Sequence, residues 1–180
     1  MNRRQVLLLS LPAWASAPAL AQDMAPLEVR AELPRARRQG QGLMRFFGLS
    51  IYTIRLWSQE PVGTEAWAER PLALEIEYAR SLDGAEIAKR SLQEMQRIGE
   101  FTAGQGEQWL AAMREAFPNV RSGDRITGFQ RPGEMARFYV NGRAGKDITD
   151  ALFARLFFGI WLSPRTSEPR LREALLGLSP

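Results

Sequence analysis

The chemistry that this sequence can offer rests on five residues: Arg45, Tyr52, Arg90, Glu94 and Thr149. Arg45 sits among Met44, Phe46 and Phe47, where a guanidinium is partly buried and needs a carboxylate from the protein or from a ligand. Tyr52 is the polar tip of an otherwise apolar strand, and Thr149 is placed in the first turn of an apolar helix. Glu94 flanks an apolar helical stripe that also contains Ser91, so a carboxylate and a hydroxyl could line a pocket. A plainer reading competes with that one. Ser91 can bond back to the carbonyl of Ile87, and Glu94 can pair with Arg90 or Arg97, both within helical reach. Arg80, just after a strand whose Tyr78 points inward, is a further cation of the same kind.

Two residue types are absent: the 180-residue chain has no histidine and no cysteine. Thiolate nucleophiles, disulfides, cysteine-held metal or iron–sulfur centres and imidazole bases are therefore excluded. A Ser-His-Asp arrangement is excluded with them. The glycines form no phosphate-binding loop, since Gly40-Gln41-Gly42 lacks the third glycine and does not open a helix. No acidic cluster has metal-ligand spacing, and neither a metal nor a cofactor is expected.

Arginines number 22 against two lysines, Lys89 and Lys146. Residues 1–21 have the form of a cleavable export signal: Arg3-Arg4, the apolar run Val6 to Leu11, and Ala19-Leu20-Ala21 before Gln22. The run is short and flanked by Pro12 and Pro18, which argues against a membrane anchor. The expected address is the periplasm or the exterior, with cleavage after Ala21 and no anchor left behind. Removing that segment lowers the formal charge from +4 to +2, so the basic pI reflects a small imbalance. The run Arg35-Ala36-Arg37-Arg38 reads as a solvated loop, and nucleic acid is not an expected partner.

The elements that must position these residues follow from periodicity. Residues 22–26 form a short leader, and 27–180 read as one domain without internal repeats. Leu27 to Leu33 alternates as a strand would, and Pro34 ends it. After Leu43 to Phe47 and then Gly48, Leu49 to Trp57 suggests a long β segment with an irregularity near Arg55. Leu72 to Tyr78 alternates cleanly, with Leu72, Leu74, Ile76 and Tyr78 on one face. Asp83 to Gly99 and Glu107 to Phe117 are helical. Arg125 to Arg131, Met135 to Val140 and Arg143 to Lys146 are strands, the last two joined by an Asn141-Gly142 turn. Asp147, with Asp150 three residues on, opens an almost wholly apolar helix. Arg165 to Leu176 closes the chain as a helix stopped by Gly177. The class is α+β: an antiparallel sheet with helices laid mostly on one face.

Several strings together resemble the chalcone isomerase-like family, in particular its bacterial exported branch. They include Gly40-Gln41-Gly42-Leu43-Met44-Arg45, Ile51 to Trp57, Ser91-Leu92-Gln93-Glu94-Met95, Phe138 to Gly142 and Phe157 to Pro164, spread over nearly all of 27–178. The resemblance implies an open-faced β-sandwich, a large antiparallel sheet with a layer of helices and a ligand cleft between them. It also implies one of two activities. Plant enzymes of the family cyclise a chalcone without a cofactor, whereas other members bind fatty acids, meeting the carboxylate with an Arg and a Tyr. The enzymes' strand arginine follows a G-x-G-x-R pattern; here that place is Met44 and the arginine comes one residue later, at Arg45. Their strand threonine falls on Tyr52, their helical tyrosine on Ile87, and their lysine and asparagine on Arg90 and Glu94. Only the hydroxyl residue of the late helix, Thr149, is matched in kind.

The leading expectation is thus a non-catalytic protein holding a small amphipathic anion, a fatty acid or a phenolic, with Arg45 or Arg90 as its counter-ion. The alternatives are a cofactor-free isomerase (an intramolecular lyase) using Tyr52 and Thr149, and a structural or partner-binding module whose cleft is filled by its own side chains. They divide on one geometric point: whether Arg45, Tyr52, Arg90, Glu94 and Thr149 converge on a single open cleft.

Overall fold

The computed structural model describes residues 24–178. The expected export signal and its cleavage point lie outside the described residues. Six strands form one antiparallel sheet in simple sequential order: β1 (Arg37–Phe46), β2 (Leu49–Ser58), β3 (Leu72–Tyr78), β4 (Arg125–Arg131), β5 (Met135–Val140) and β6 (Arg143–Ile148). Four helices, α2 (Gly84–Ile98), α3 (Ala103–Ala116), α4 (Ala151–Leu162) and α5 (Pro169–Leu176), make the layer on one side. A short helix α1 (Leu27–Glu32) lies on the opposite side. This is the α+β, sheet-and-helix-layer architecture expected from the sequence.

Three local expectations are corrected. Leu27 to Leu33 is a helix with its C-cap, not a strand, because Val29 and Leu33 are also four apart and so share a helical face. They pack there against Trp57, Ala73 and Phe129. The long β segment is the strand β2, joined to β1 by a hairpin turn at Phe47-Gly48 with φ of 48° and 78°. No irregularity falls at Arg55, since β2 pairs with β3 in unbroken register from Tyr52 to Ser58. One bulge is in β1, where Gln39 is the extra residue between Arg38 and Gly40; the other is in β2, where Ile51 is the extra residue opposite Met44 and Arg45. Arg37 and Arg38 belong to β1 and not to a loop.

Helix boundaries also shift. α3 begins four residues before the expected Glu107, at a reciprocal capping box between Thr102 and Gln105 that the sequence reading missed. Asp147 ends in β6, and the true cap of α4 is Asp150, which accepts from the Phe153 amide at 2.9 Å. Thr149 is therefore ahead of the helix and exposed.

Burial explains the layering. Leu72, Leu74, Ile76 and Tyr78 of β3 face the helices, as their alternation predicts, and join Met95, Met113 and Phe158 in the main core. α4 is apolar nearly all round because it is the central helix, with nine of its twelve residues buried. The outer face of β2–β5 instead carries cross-paired charges and one small apolar cluster beneath α1.

Candidate functional site

A cleft of about 410 Å³ opens between the helix-facing side of the sheet and the helices α2 and α4. Its walls are largely apolar: Met44 and Phe46 from β1, Ile76 and Tyr78 from β3, Phe157 and Ile160 from α4. Strand alternation brings Tyr52 and Tyr78 to the same side as direct cross-strand partners, their rings edge to face at 6.1 Å. From α2, Ile87, Arg90, Ser91 and Glu94 recur at the spacing of one helical face and meet the cleft together.

The polar groups are tied to one another. The Trp161 indole N–H donates to the Tyr52 hydroxyl at 3.0 Å. Burial pushes the Tyr52 phenol up to about 12, against the lowering pull of that indole bond, with Glu168 and Glu94 adding to the rise. Tyr52 is thus a neutral hydroxyl whose own proton is free to be donated. Glu94 is buried and receives Arg90 Nη2 at 2.6 Å and the Ser167 hydroxyl at 2.9 Å, with Arg97 Nε at 3.5 Å. Ser91 bonds back to the Ile87 carbonyl at 2.8 Å, so for Ser91 and Glu94 the plainer sequence reading describes their partners correctly.

Of the five sequence-derived positions, Tyr52, Arg90 and Glu94 converge on the cleft. Arg45 does not. Met44 pairs with Tyr52 on the cleft side, and plain alternation along β1 gives Phe46 the next inward place and leaves Arg45 exposed, the extra residue at this point being Ile51 of β2. Thr149 is also exposed and does not line the cleft, so the expected pairing of Tyr52 with Thr149 is not formed there. The position matching the enzymes' helical tyrosine, Ile87, is a wall residue.

Sequence reasoning missed Trp161, Ser167 and Glu168. The apolar pattern gives Trp161 only a core role, although its place four residues after Phe157 puts both on one face of α4. Ser167 and Glu168 fall within the helix expected over 165–176, which in fact starts at Pro169, and no sequence signal places them by the cleft.

Charge in the cleft is unequal. Asp83, Glu86, Glu94 and Glu168 stand against the single guanidinium of Arg90, which already pairs with Glu94. Among the described residues no group of three or more acidic side chains comes together in a form that could hold a metal ion. The arrangement can bury an apolar body and offer hydroxyl and guanidinium donors at one cluster.

A family model described as "Chalcone isomerase-like" matches residues 35–177. An uncharacterised protein of Haemophilus influenzae is 31% identical over 127 residues, covering 71% of this chain. The match spans 61% of that relative's own length. Among solved structures, an Arabidopsis thaliana fatty-acid binding protein superposes with a TM-score of 0.63 at 12% identity, covering 79% of this chain and 87% of that one. That likeness establishes a shared fold.

Proposed function

The chain belongs to the chalcone isomerase-like family, and from that premise we propose that it is a non-catalytic binding protein for a small amphipathic molecule. The observation that carries this reading is the open cleft of about 410 Å³, whose apolar walls end in one polar cluster. An apolar chain or ring would occupy the space between Ile76, Tyr78, Phe157 and Ile160. Its polar end would meet the Tyr52 hydroxyl and the outer donors of Arg90. A fatty acid or a phenolic fits that division. The fatty-acid binding function of the Arabidopsis neighbour supports the same reading.

The local charge refines the expected anion. With four carboxylates around one paired guanidinium, an ionised head group is repelled, and an acid is held best in its protonated form. Affinity for a long-chain fatty acid should therefore fall as pH rises through the ligand's own pKa, while affinity for the matching alcohol stays level. Glu94→Gln removes one negative charge and releases Arg90, so it should strengthen binding of the ionised acid several-fold and leave the alcohol within about twofold. Displacement of a fluorescent fatty-acid probe from the purified chain measures both. No displacement and no thermal shift with either ligand, together with an empty cleft in native mass spectra, would refute the proposal.

A further inference from the structure

The tip of the β1–β2 hairpin is an exposed apolar point that the binding cleft does not account for. Phe47 is 90% exposed, Phe46 57%, Leu49 54% and Leu43 41%. The two phenyl rings lean on each other at 4.5 Å, and a Cβ placed on the neighbouring Gly48 would meet nothing within 4 Å. Burial in this chain does not keep Phe47 where it is. Turn preference does not either. Both central residues of this turn have positive φ, 48° and 78°, the same geometry as Asn141-Gly142 at 49° and 78°. At the second hairpin the sequence uses the dipeptide that such a turn favours; at the first it places a bulky aromatic in a backbone region that aromatics avoid. Neither burial nor turn preference thus explains an exposed phenyl ring in a strained backbone position at the head of this hairpin.

The surroundings indicate what that is. Between Leu43 and Thr53 the one charged side chain is Arg45. Arg45 flanks the tip, is exposed, and has no ion pair among the described residues. The end of β3 runs beside the start of β2, with the Ala79 amide donating to Ile51 O at 2.9 Å, and adds the exposed Arg80 to the same end of the sheet. Aromatic and leucine side chains flanked by arginines suit the boundary of a bilayer, where rings sit at the headgroup level and cations meet anionic lipid. We propose that the β1–β2 hairpin tip docks this protein on an anionic lipid surface. Phe46 belongs both to the tip and to the cleft wall, so docking brings the cleft mouth to the membrane. This last step, exchange of an apolar ligand between bilayer and cleft, rests on the binding function proposed above; the docking does not.

The test is flotation of the full ligand-free chain with vesicles of phosphatidylglycerol and phosphatidylethanolamine, against vesicles of phosphatidylcholine alone. Binding is expected to the anionic vesicles, at least fivefold weaker to the neutral ones, and reduced by salt. Phe47→Asn restores the favoured turn residue, so it should unfold at the same or a higher temperature while losing at least fivefold in vesicle binding. Arg45→Glu should lose the preference for anionic lipid. Absence of flotation, or a Phe47→Asn chain that floats like the wild type, overturns the proposal. So does self-association through the tip, read as a dimer in light scattering that Phe47→Asn abolishes while no vesicle binding is found. Fatty-acid binding in vesicle-free buffer is measured separately. Its loss would remove the exchange step and the proposed function, and leave docking standing.

Discussion

Tyr52 shows how burial and one neighbour fix the chemical state of a side chain. The phenol has lost water, and the Trp161 indole, which stabilises a phenolate, offsets only part of that cost. Tyr78 beside it is raised too, by burial and then by Tyr52. Tyr139, on the other face of the sheet, is raised by its bond to Glu32 and then by burial. All three tyrosines of the chain therefore keep their protons beyond the ordinary 10.0. A raised folded-state pKa means stability that is whole below pH 10 and is lost as pH climbs towards about 12. Tyrosinate absorbance should show the folded protein little ionised at pH 10 and the urea-unfolded chain about half ionised there. Tyr52→Phe should flatten the alkaline loss of stability. A folded chain that titrates like the unfolded one would contradict the burial of Tyr52.

Among the elements, β1 depends most on what it lacks. A Cβ on Gly40 would run into the Ala174 and Leu175 carbonyls of α5, and one on Gly42 into the Leu171 side chain. The sequence marks Gly40-Gln41-Gly42 as part of a family resemblance and excludes a phosphate loop. The reason for both glycines is that α5 lies directly across β1 and covers an edge of the sheet. Gly40→Ala should cost about 1–3 kcal/mol by overpacking. For a domain of this size that is roughly 2–12 °C in the melting temperature, read by circular dichroism. An unchanged melting temperature would mean that α5 is not seated there. The same element shows a limit of pattern reading: seven alternating residues at Leu27–Leu33 satisfied both a strand and a one-sided helix, and only a partner surface chose between them.

At the scale of the molecule, the two sheet faces are held by different physics. The helix-facing side is a continuous apolar core, whereas α1 is fastened to the outer face by a small apolar cluster and by charge. Glu32 accepts from Arg131 at 2.6 Å, Arg137 at 3.0 Å and the Tyr139 hydroxyl at 2.7 Å. Burial raises its pKa, but those three bonds outweigh it and hold the carboxyl below its ordinary 4.5. A lowered pKa means stability present above pH 4.5 and lost as pH falls below it. Glu32→Gln should cost about 1–3 kcal/mol at neutral pH and weaken the acid dependence, both measurable by urea unfolding. Equal acid sensitivity in wild type and variant would show that the outer-face network does not fasten α1. The 22 arginines are thereby partly accounted for. Arg55, Arg125, Arg131 and Arg137 serve the outer face, and among the described arginines Arg90 alone lines the cleft.

Composition and period by themselves determined the α+β class, the inward face of β3, the apolar nature of α4 and the exclusion of thiol and imidazole chemistry. These are properties of residue type and short-range spacing, which the chain carries wherever it folds. Helical period also puts Glu94 at the edge of the apolar stripe of α2, whereas Tyr52 and Arg90 are matched to site positions by the resemblance to the family. Only the tertiary structure decided that Arg45 leaves the cleft: the extra residue lies at Ile51 of β2, so β1 keeps its plain alternation from Met44 to Phe46 and Arg45 faces away. Only it decided that Thr149 stands outside, since α4 starts at Asp150's cap and not at Asp147. The arrangement of charge in the cleft belongs to the same level: Glu94 and Glu168 come from segments far apart in sequence, and both line one cleft because α4 packs against α2 and α5.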